Sequence, residues 1–247
     1  MRLYIKFTYS QRLIEIPTKT IYLIDCTTWY KKENMSKLQE LRENYELGEL
    51  LESHVHEDPM QQFKLWLENA ISHKVKEPNA MVLSTINAHG SPSSRVVLIK
   101  ELDDDGIIFY TNYESDKARQ IGAHPSIALN FNWLALQRQV RIEGTVTKVD
   151  EARSTKYFQG RPKNSQIGAW VSAQSKIIPD RSVLETAKEK LELQYKDADV
   201  LPKPPNWGGY KVTPHLIEFW QGRRSRLHDR LKFTLSDGQW DMKRVSP

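Results

Sequence analysis

MVLSTI (81–86), NAHG (87–90), SRVVLIK (94–100), DDDG (103–106) and IIFYTN (107–112) follow one another with few residues between them. The apolar runs are short and rich in β-branched residues, and Asn, Asp and Gly fill the gaps. That is the grammar of an antiparallel meander joined by tight turns. Further along, a short helix capped by Ser115 spans 115–122, and strands are expected near 126–133 and 138–149. Residues 150–159, 165–172 and 181–196 read as helices, LPKPPNWGG (201–209) as a rigid loop, and 210–220, 229–235 and 239–245 as closing strands. Strands outnumber helices, and most are joined by turns instead of helical crossovers. The expected fold is mainly β with peripheral helices (α+β), an antiparallel barrel and not a doubly wound parallel sheet.

Before the meander, Asp58-Pro59 opens a helix whose Phe63, Trp66, Leu67, Ala70 and Ile71 form one apolar stripe for core packing. Earlier still, Met35 begins MSKLQELRENYELGEL, where Leu38, Leu41 and Tyr45 recur at helical spacing. A single domain is therefore expected over 35–247, preceded by a 1–34 extension. Glu15, Asp25 and Glu33 weigh against reading that extension as a mitochondrial presequence, and a cytoplasmic protein is expected.

The 247 residues, 39% hydrophobic and 27% charged, suffice for a sizeable core. No run approaches the ~18–20 apolar residues that span a bilayer. The lone Cys26 cannot close an intrachain disulfide, and neither C-x-x-C nor H-E-x-x-H is present, so no metal is expected. Glycine-rich dinucleotide and triphosphate fingerprints are missing as well. A net charge of +5 with interspersed acidic residues suits small phosphorylated ligands better than nucleic acid.

Three clusters could bind such ligands. In SRVVLIK, Arg95 and Lys100 lie five positions apart, which in a regular strand puts them on opposite faces. Either the strand end frees Lys100, or the two cations serve different anions; both could equally be solvated strand-end charges. Tyr157, Arg161 and Ser165 are spaced by four, but Gly160 and Pro162 interrupt the helix, so Ser165 is expected to cap a new helix at 166–172. Hydroxyls, a guanidinium and free helix N–H groups would there make a phosphate cradle, against the plainer reading of a capped helix with a surface arginine. Finally, alternation puts Arg226, His228 and Arg230 on one side of an extended segment, focused on one ligand unless the segment is a solvated basic loop.

Together these segments resemble the pyridoxine (pyridoxamine) 5′-phosphate oxidase family. The likeness rests on RVVLIK (95–100), FYTN (109–112), RQV (138–140), YFQGRP (157–162), SQIGAW (165–170), Gln174-Ser175, WGG (207–209), IEFWQG (217–222), SRLHDR (225–230) and the closing RVSP (244–247), and spans roughly 36–247. It implies a split barrel that binds FMN in a cleft between the subunits of a homodimer. Arg95, Val96, Val97, Leu98, Ile99, Lys100, Tyr110, Thr111, Lys117, Gln139, Gln174, Ser175, Trp220 and Arg230 would contact FMN. Lys100, Tyr157, Arg161 and Ser165 would hold the substrate phosphate, with Arg226 and His228 as the catalytic pair facing the pyridine ring. Arg42 and Tyr45 match a segment that folds over the substrate. The implied reaction oxidises pyridoxamine 5′-phosphate or pyridoxine 5′-phosphate to pyridoxal 5′-phosphate and reduces O₂ to H₂O₂. A split-barrel flavoprotein with another substrate, a pyridoxal phosphate carrier without turnover, and a basic nucleic-acid-binding barrel are the alternatives. Where the family usually has Ser-Arg-Lys, this chain has Ser115-Asp116-Lys117, which sets an anion beside the expected flavin phosphate unless Asp116 turns away.

Overall fold

Along Ala80–Ile86 (β1) the side chains alternate between buried and less buried, and Pro92–Leu102 (β2) lies antiparallel against it with Met81 opposite Val97 and Leu83 opposite Arg95. The computed structural model describes residues 40–247. The chain divides between Glu43 and Asn44, and Asn44–Pro247 forms a compact unit. The 1–34 extension lies outside the described residues, and before that division only residues 40–43 lie within them. Of the helix expected from MSKLQELRENYELGEL, residues 35–39 lie outside the described residues, and residues 41–50 are not helical. In residues 44–50 the backbone donors are used elsewhere: Gln137 Oε1 accepts from Glu46 and Leu47 N–H at 2.8 and 3.1 Å, and Asp229 Oδ2 accepts from Leu50 N–H at 3.0 Å. Those tertiary bonds outweigh a weak helical propensity.

Ile107–Asn112 (β3), Ser126–Trp133 (β4), Arg138–Lys148 (β5), Trp207–Gln221 (β6), Asp229–Ser236 (β7) and Gln239–Arg244 (β8) complete one antiparallel sheet, in the order β3-β2-β1-β4-β5-β6-β7-β8. An additional β3–β6 pairing closes six of these strands into a barrel, with β7 and β8 extending beyond it. The expected antiparallel barrel with peripheral helices is thus the observed fold. Closure depends on β6. Its first part pairs with β3, from Trp207 opposite Asn112 to Val212 opposite Ile107, and its last part pairs with β7, from Leu216 opposite Thr234 to Gln221 opposite Asp229. On its other side β5 runs along nearly the whole strand, with a register shift between Glu143 and Gly144. Extra residues of this kind bend a strand and increase its twist.

Pro59–Ser72 (α1) fills one end of the barrel. Asp58 caps it by accepting from Met60 N–H at 2.8 Å. Phe63, Trp66, Leu67 and Ala70 are buried, Phe63 meeting Phe131 and Trp66 meeting Phe219, whereas Ile71 is 56% exposed and lies outside the stripe. Asp116–Ala123 (α2) starts at its Ser115 cap as expected. Glu151–Gln159 (α3), Lys163–Val171 (α4) and Ser182–Gln194 (α5) follow β5. A second, smaller core of Phe158, Ile167, Leu201 and Trp207 ties α3 and α4 to β6.

Ser165 does not cap α4. The helix begins at Lys163 directly after Pro162, and Ser165 N–H already donates to Pro162 C=O at 2.8 Å. Proline just before a helix costs no hydrogen bond, because the first helical N–H groups have no intrahelical acceptor. The WGG triplet belongs to β6 and not to the preceding loop. A Cβ on Gly209 would lie 2.7 Å from Tyr110 Cε1, so the glycine lets that ring lie across the strand.

Gly144 faces backbone that has no room to yield: a Cβ there would sit 2.5 Å from Thr213 O. Gly144→Ala is expected to destabilise the protein by about 1–3 kcal/mol through overpacking at the β5–β6 irregularity, read as a lowered denaturation midpoint. An unchanged midpoint would mean that this crossing is not tightly constrained.

Candidate functional site

A cavity of about 640 Å³ opens between β2, β3, α3 and α4, within the roughly 300–1,000 Å³ typical of small-molecule sites. Arg95 and Lys100 both border it. Up to Ile99 the strand alternates regularly, and Ile99 itself is buried in the barrel core, away from the cavity. Then the β2–β3 register shifts: Ile99 opposes Phe109 and Glu101 opposes Ile108, leaving Lys100 as the extra residue. Lys100 keeps the alternation of Val96 and Leu98, which border the cavity with it, and Arg95 and Val97 border the cavity as well, so the two cations flank one cavity although they are five positions apart.

At one end, Lys117 is buried, and its Nζ donates to Gln174 Oε1 at 2.9 Å, to Thr111 Oγ1 at 3.3 Å and to Ser115 Oγ at 3.4 Å. Arg95 donates to Leu83 C=O, Ser93 C=O and the side chains of Thr85, Ser93 and Gln120. Every one of these acceptors is neutral, and among the described residues neither cation forms an ion pair. Burial lowers the Lys117 pKa, and Arg95 nearby lowers it further while Asp116 partly offsets this. The Arg95 pKa is also lowered, first by burial. Two cations held close together by neutral groups form a preorganised receptor for a multiply charged oxyanion. Asp116 does not line the cavity; its carboxylate is bonded to Arg119, and its N–H donates to Ser175 Oγ at 3.2 Å. Ser175 is exposed and does not line the cavity either.

Toward the other end lie Lys100, Tyr157, Arg161 and Ser165. Arg161 Nη1 is buried with no hydrogen-bond partner, and its guanidinium lies 4.8 Å from the Trp207 ring centroid. Burial lowers the Arg161 pKa and raises that of Tyr157. An orphaned buried guanidinium N–H calls for an anionic acceptor. Gly168, Ala169, Ser172, Asn112 and Trp207 also line the cavity and were not anticipated. The signal was present for three of them: Ser165, Gly168, Ala169 and Ser172 fall at i, i+3, i+4 and i+7, a single helix face of small residues.

The remaining expected residues form a separate group. Gln139, Trp220 and Arg230 are aligned across β5, β6 and β7. Gln139 borders a smaller cavity of about 250 Å³ with Asn130 and Arg141. Arg230 is engaged by both oxygens of Glu218, at 2.9 and 3.0 Å, and by Ser246 C=O at 2.7 Å. The expected alternation of Arg226, His228 and Arg230 is broken, because Arg224–Arg226 forms a 3-10 turn in which Ser225 and Arg226 have φ of 55° and 60°. Arg226 is thereby exposed at a turn, whereas His228 packs between Trp220 and Tyr45, with centroids at 4.6 and 5.6 Å. Arg42 lies outside this compact unit and is exposed. None of Tyr45, Gln139, Trp220, Arg226, His228 and Arg230 lines the larger cavity of the same chain.

Residues 67–195 match the family model described as pyridoxamine 5′-phosphate oxidase. The chain belongs to the pyridoxine/pyridoxamine 5′-phosphate oxidase family. Residues 207–247 match a second model of this oxidase family, its C-terminal dimerisation region. The pyridoxine/pyridoxamine 5′-phosphate oxidase of Synechocystis sp. is 53% identical over 210 residues, covering 85% of this chain and 98% of the relative. That of Acaryochloris marina is 49% identical over 212 residues, covering 86% and 96%. Among solved structures, PhzG from Burkholderia lata, in complex with tetrahydrophenazine-1-carboxylic acid, aligns with a TM-score of 0.76 at 30% identity over 80% of this chain and 98% of that one. A pyridoxamine 5′-phosphate oxidase-related, FMN binding protein from Nostoc punctiforme shares the fold at a TM-score of 0.61 and 17% identity, over 76% and 97%. Oxidoreductase activity in vitamin B6 metabolism and an FMN-binding split barrel characterise the oxidase family.

His228 offers a test of the second group. Its Nδ1 accepts the Arg223 N–H at 3.0 Å, which leaves the ring proton on Nε2. Burial and then Arg226 lower its pKa below 6.5, with Asp229 opposing. The neutral ring and its bond persist above pH 6.5 and are lost as pH falls through the lowered pKa. NMR titration should give a His228 pKa below 6.5 that rises in Arg226→Met; a value at or above 6.5 in the unsubstituted protein would contradict the packing described.

Proposed function

We propose that this protein is an FMN-dependent oxidase that converts pyridoxamine 5′-phosphate and pyridoxine 5′-phosphate to pyridoxal 5′-phosphate, with O₂ reduced to H₂O₂. The observation that carries the reading is a single cavity with two separate cationic stations, Arg95 with Lys117 and Lys100 with Arg161. Each phosphate monoester brings a charge of about −1.5 to −2 at pH 7, so cofactor and substrate each need a station of their own. The donor set fits the cofactor phosphate: Lys117 and Arg95 meet only neutral acceptors, and Thr111, Gln174 and Ser115 orient the ammonium. FMN, when bound, supplies the two-electron acceptor that no side chain provides.

The chain's own residues bind and orient. Arg161, with Tyr157 and Ser165 beside it, would grip the substrate phosphate, and the orphaned Nη1 would gain its acceptor. Fixing the phosphate at one end restricts where the ring can lie, which is the main service a protein renders to a reaction carried by a cofactor. Arg226 and His228 do not reach the larger cavity of their own chain, so the reading includes a homodimer in which a second copy supplies them. The match of residues 207–247 to a dimerisation region supports that assembly. His228 would then donate from Nε2–H to the substrate, and Arg226 would steady negative charge on the ring oxygen.

Purified protein is expected to be yellow, to release flavin on denaturation, and to consume oxygen with pyridoxamine 5′-phosphate. Arg161→Ala should raise KM more than it lowers kcat, by the ~1.5–3 kcal/mol of a lost charged hydrogen bond. Tight pyridoxal 5′-phosphate binding without oxygen uptake would identify a carrier instead, and a colourless preparation retained on nucleic acid would overturn the reading altogether.

A further inference from the structure

We propose that Glu101 and Arg153 are positioning residues that set the substrate-phosphate clamp by locking α3 and Tyr110 to the β2 bulge. The proposal rests on the clamp assigned above and concerns residues outside it, since neither side chain lines the cavity.

Glu101 follows the bulged Lys100 directly. Its two carboxylate oxygens do different jobs: Oε1 accepts from the Tyr110 hydroxyl, and Oε2 accepts from Arg153 Nε at 2.8 Å. Arg153 also grips Asp103 with both terminal nitrogens, at 3.0 and 2.7 Å, and Lys211 joins Asp103 to Asp105. One guanidinium on α3 thus spans two carboxylates, one near the end of β2 and one at the start of the β2–β3 turn. A planar fork with five donors can do this, whereas a lysine cannot hold both with the same geometry.

Four residues along α3, one helical turn from Arg153, stands Tyr157. Its ring stacks on Tyr110 with centroids 3.9 Å apart and an interplanar angle of 11°, and Tyr110 lies nearly parallel to Trp207 at 5.4 Å. Trp207 in turn lies under the Arg161 guanidinium. A continuous path therefore runs from Arg153 and Glu101 through the Tyr110 hydroxyl to the Tyr110–Tyr157 and Tyr110–Trp207 stacks, and so to two members of the clamp. Glu101 is also the chain neighbour of Lys100, so its anchoring fixes the backbone next to the other cation of the phosphate station. If this group were merely a stability element, its removal would lower the denaturation temperature and leave ligand affinity alone; held at a clamp, it should move affinity.

The test is equilibrium dialysis of pyridoxal 5′-phosphate against the FMN-loaded protein, together with steady-state kinetics and thermal denaturation. Glu101→Ala and Arg153→Met should each weaken pyridoxal 5′-phosphate binding about tenfold and raise KM more than they lower kcat, with Arg153→Lys recovering part of the loss. Tyr110→Phe should weaken binding as well, and adding Glu101→Ala to it should cost much less than in the unsubstituted protein. Folded variants with binding unchanged within twofold would overturn the proposal, as would full additivity of Glu101→Ala and Tyr110→Phe. Should Glu101→Ala fail to fold, Glu101→Gln keeps the volume and one acceptor oxygen, and is held to the same comparison. Failure of the unsubstituted protein to bind pyridoxal 5′-phosphate would overturn the functional reading and this inference together; binding that the variants leave untouched overturns the inference alone.

Discussion

One strand has to satisfy two different neighbours along the same edge. The first part of β6 completes the barrel against β3, and its last part carries β7, while β5 holds the opposite edge nearly throughout. Trp207 at the start of this strand consequently belongs to the cavity wall, and Trp220 near its end belongs to the Tyr45–His228 cluster. The separation of the two groups of expected site residues is set by strand length. No local change in side-chain conformation could merge them within one chain.

The barrel was legible because its first three strands obey simple rules: alternating burial in β1 and β2, and turn residues in each gap. Less was legible where a tertiary partner overruled local preference. Residues 41–50 have helical spacing, yet Gln137 and Asp229 claim their N–H groups. Ser165 has the chemistry of a cap, but Pro162 is already placed to start the helix three residues sooner. Alternation failed for Arg226 because Ser225 and Arg226 adopt left-handed backbone, which glycine favours and arginine does not advertise. The site itself was visible as residue types with plausible spacing. What no period-2 argument could show is that residues of both alternating sets, Arg95 and Val97 as well as Val96, Leu98 and Lys100, border one cavity.

Charge in the cavity is arranged by withholding partners. Carboxylates are plentiful around the β2–β3 turn, where Arg153 and Lys211 are fully engaged by Glu101, Asp103 and Asp105. Within the cavity, Arg95, Lys117 and Arg161 meet hydroxyls, amides, carbonyls and aromatic faces instead. Even Asp116, adjacent in sequence to Lys117, gives its carboxylate to Arg119.

Withholding those partners makes folding and ligation one equilibrium. Desolvated cations and an orphaned guanidinium N–H raise the energy of the empty fold, and any dianion seated among them relieves that energy selectively in the native state. On the proposed function, occupancy of these cations by a phosphorylated ligand would raise native-state stability in proportion to the logarithm of ligand concentration, so resistance to unfolding would report ligand supply.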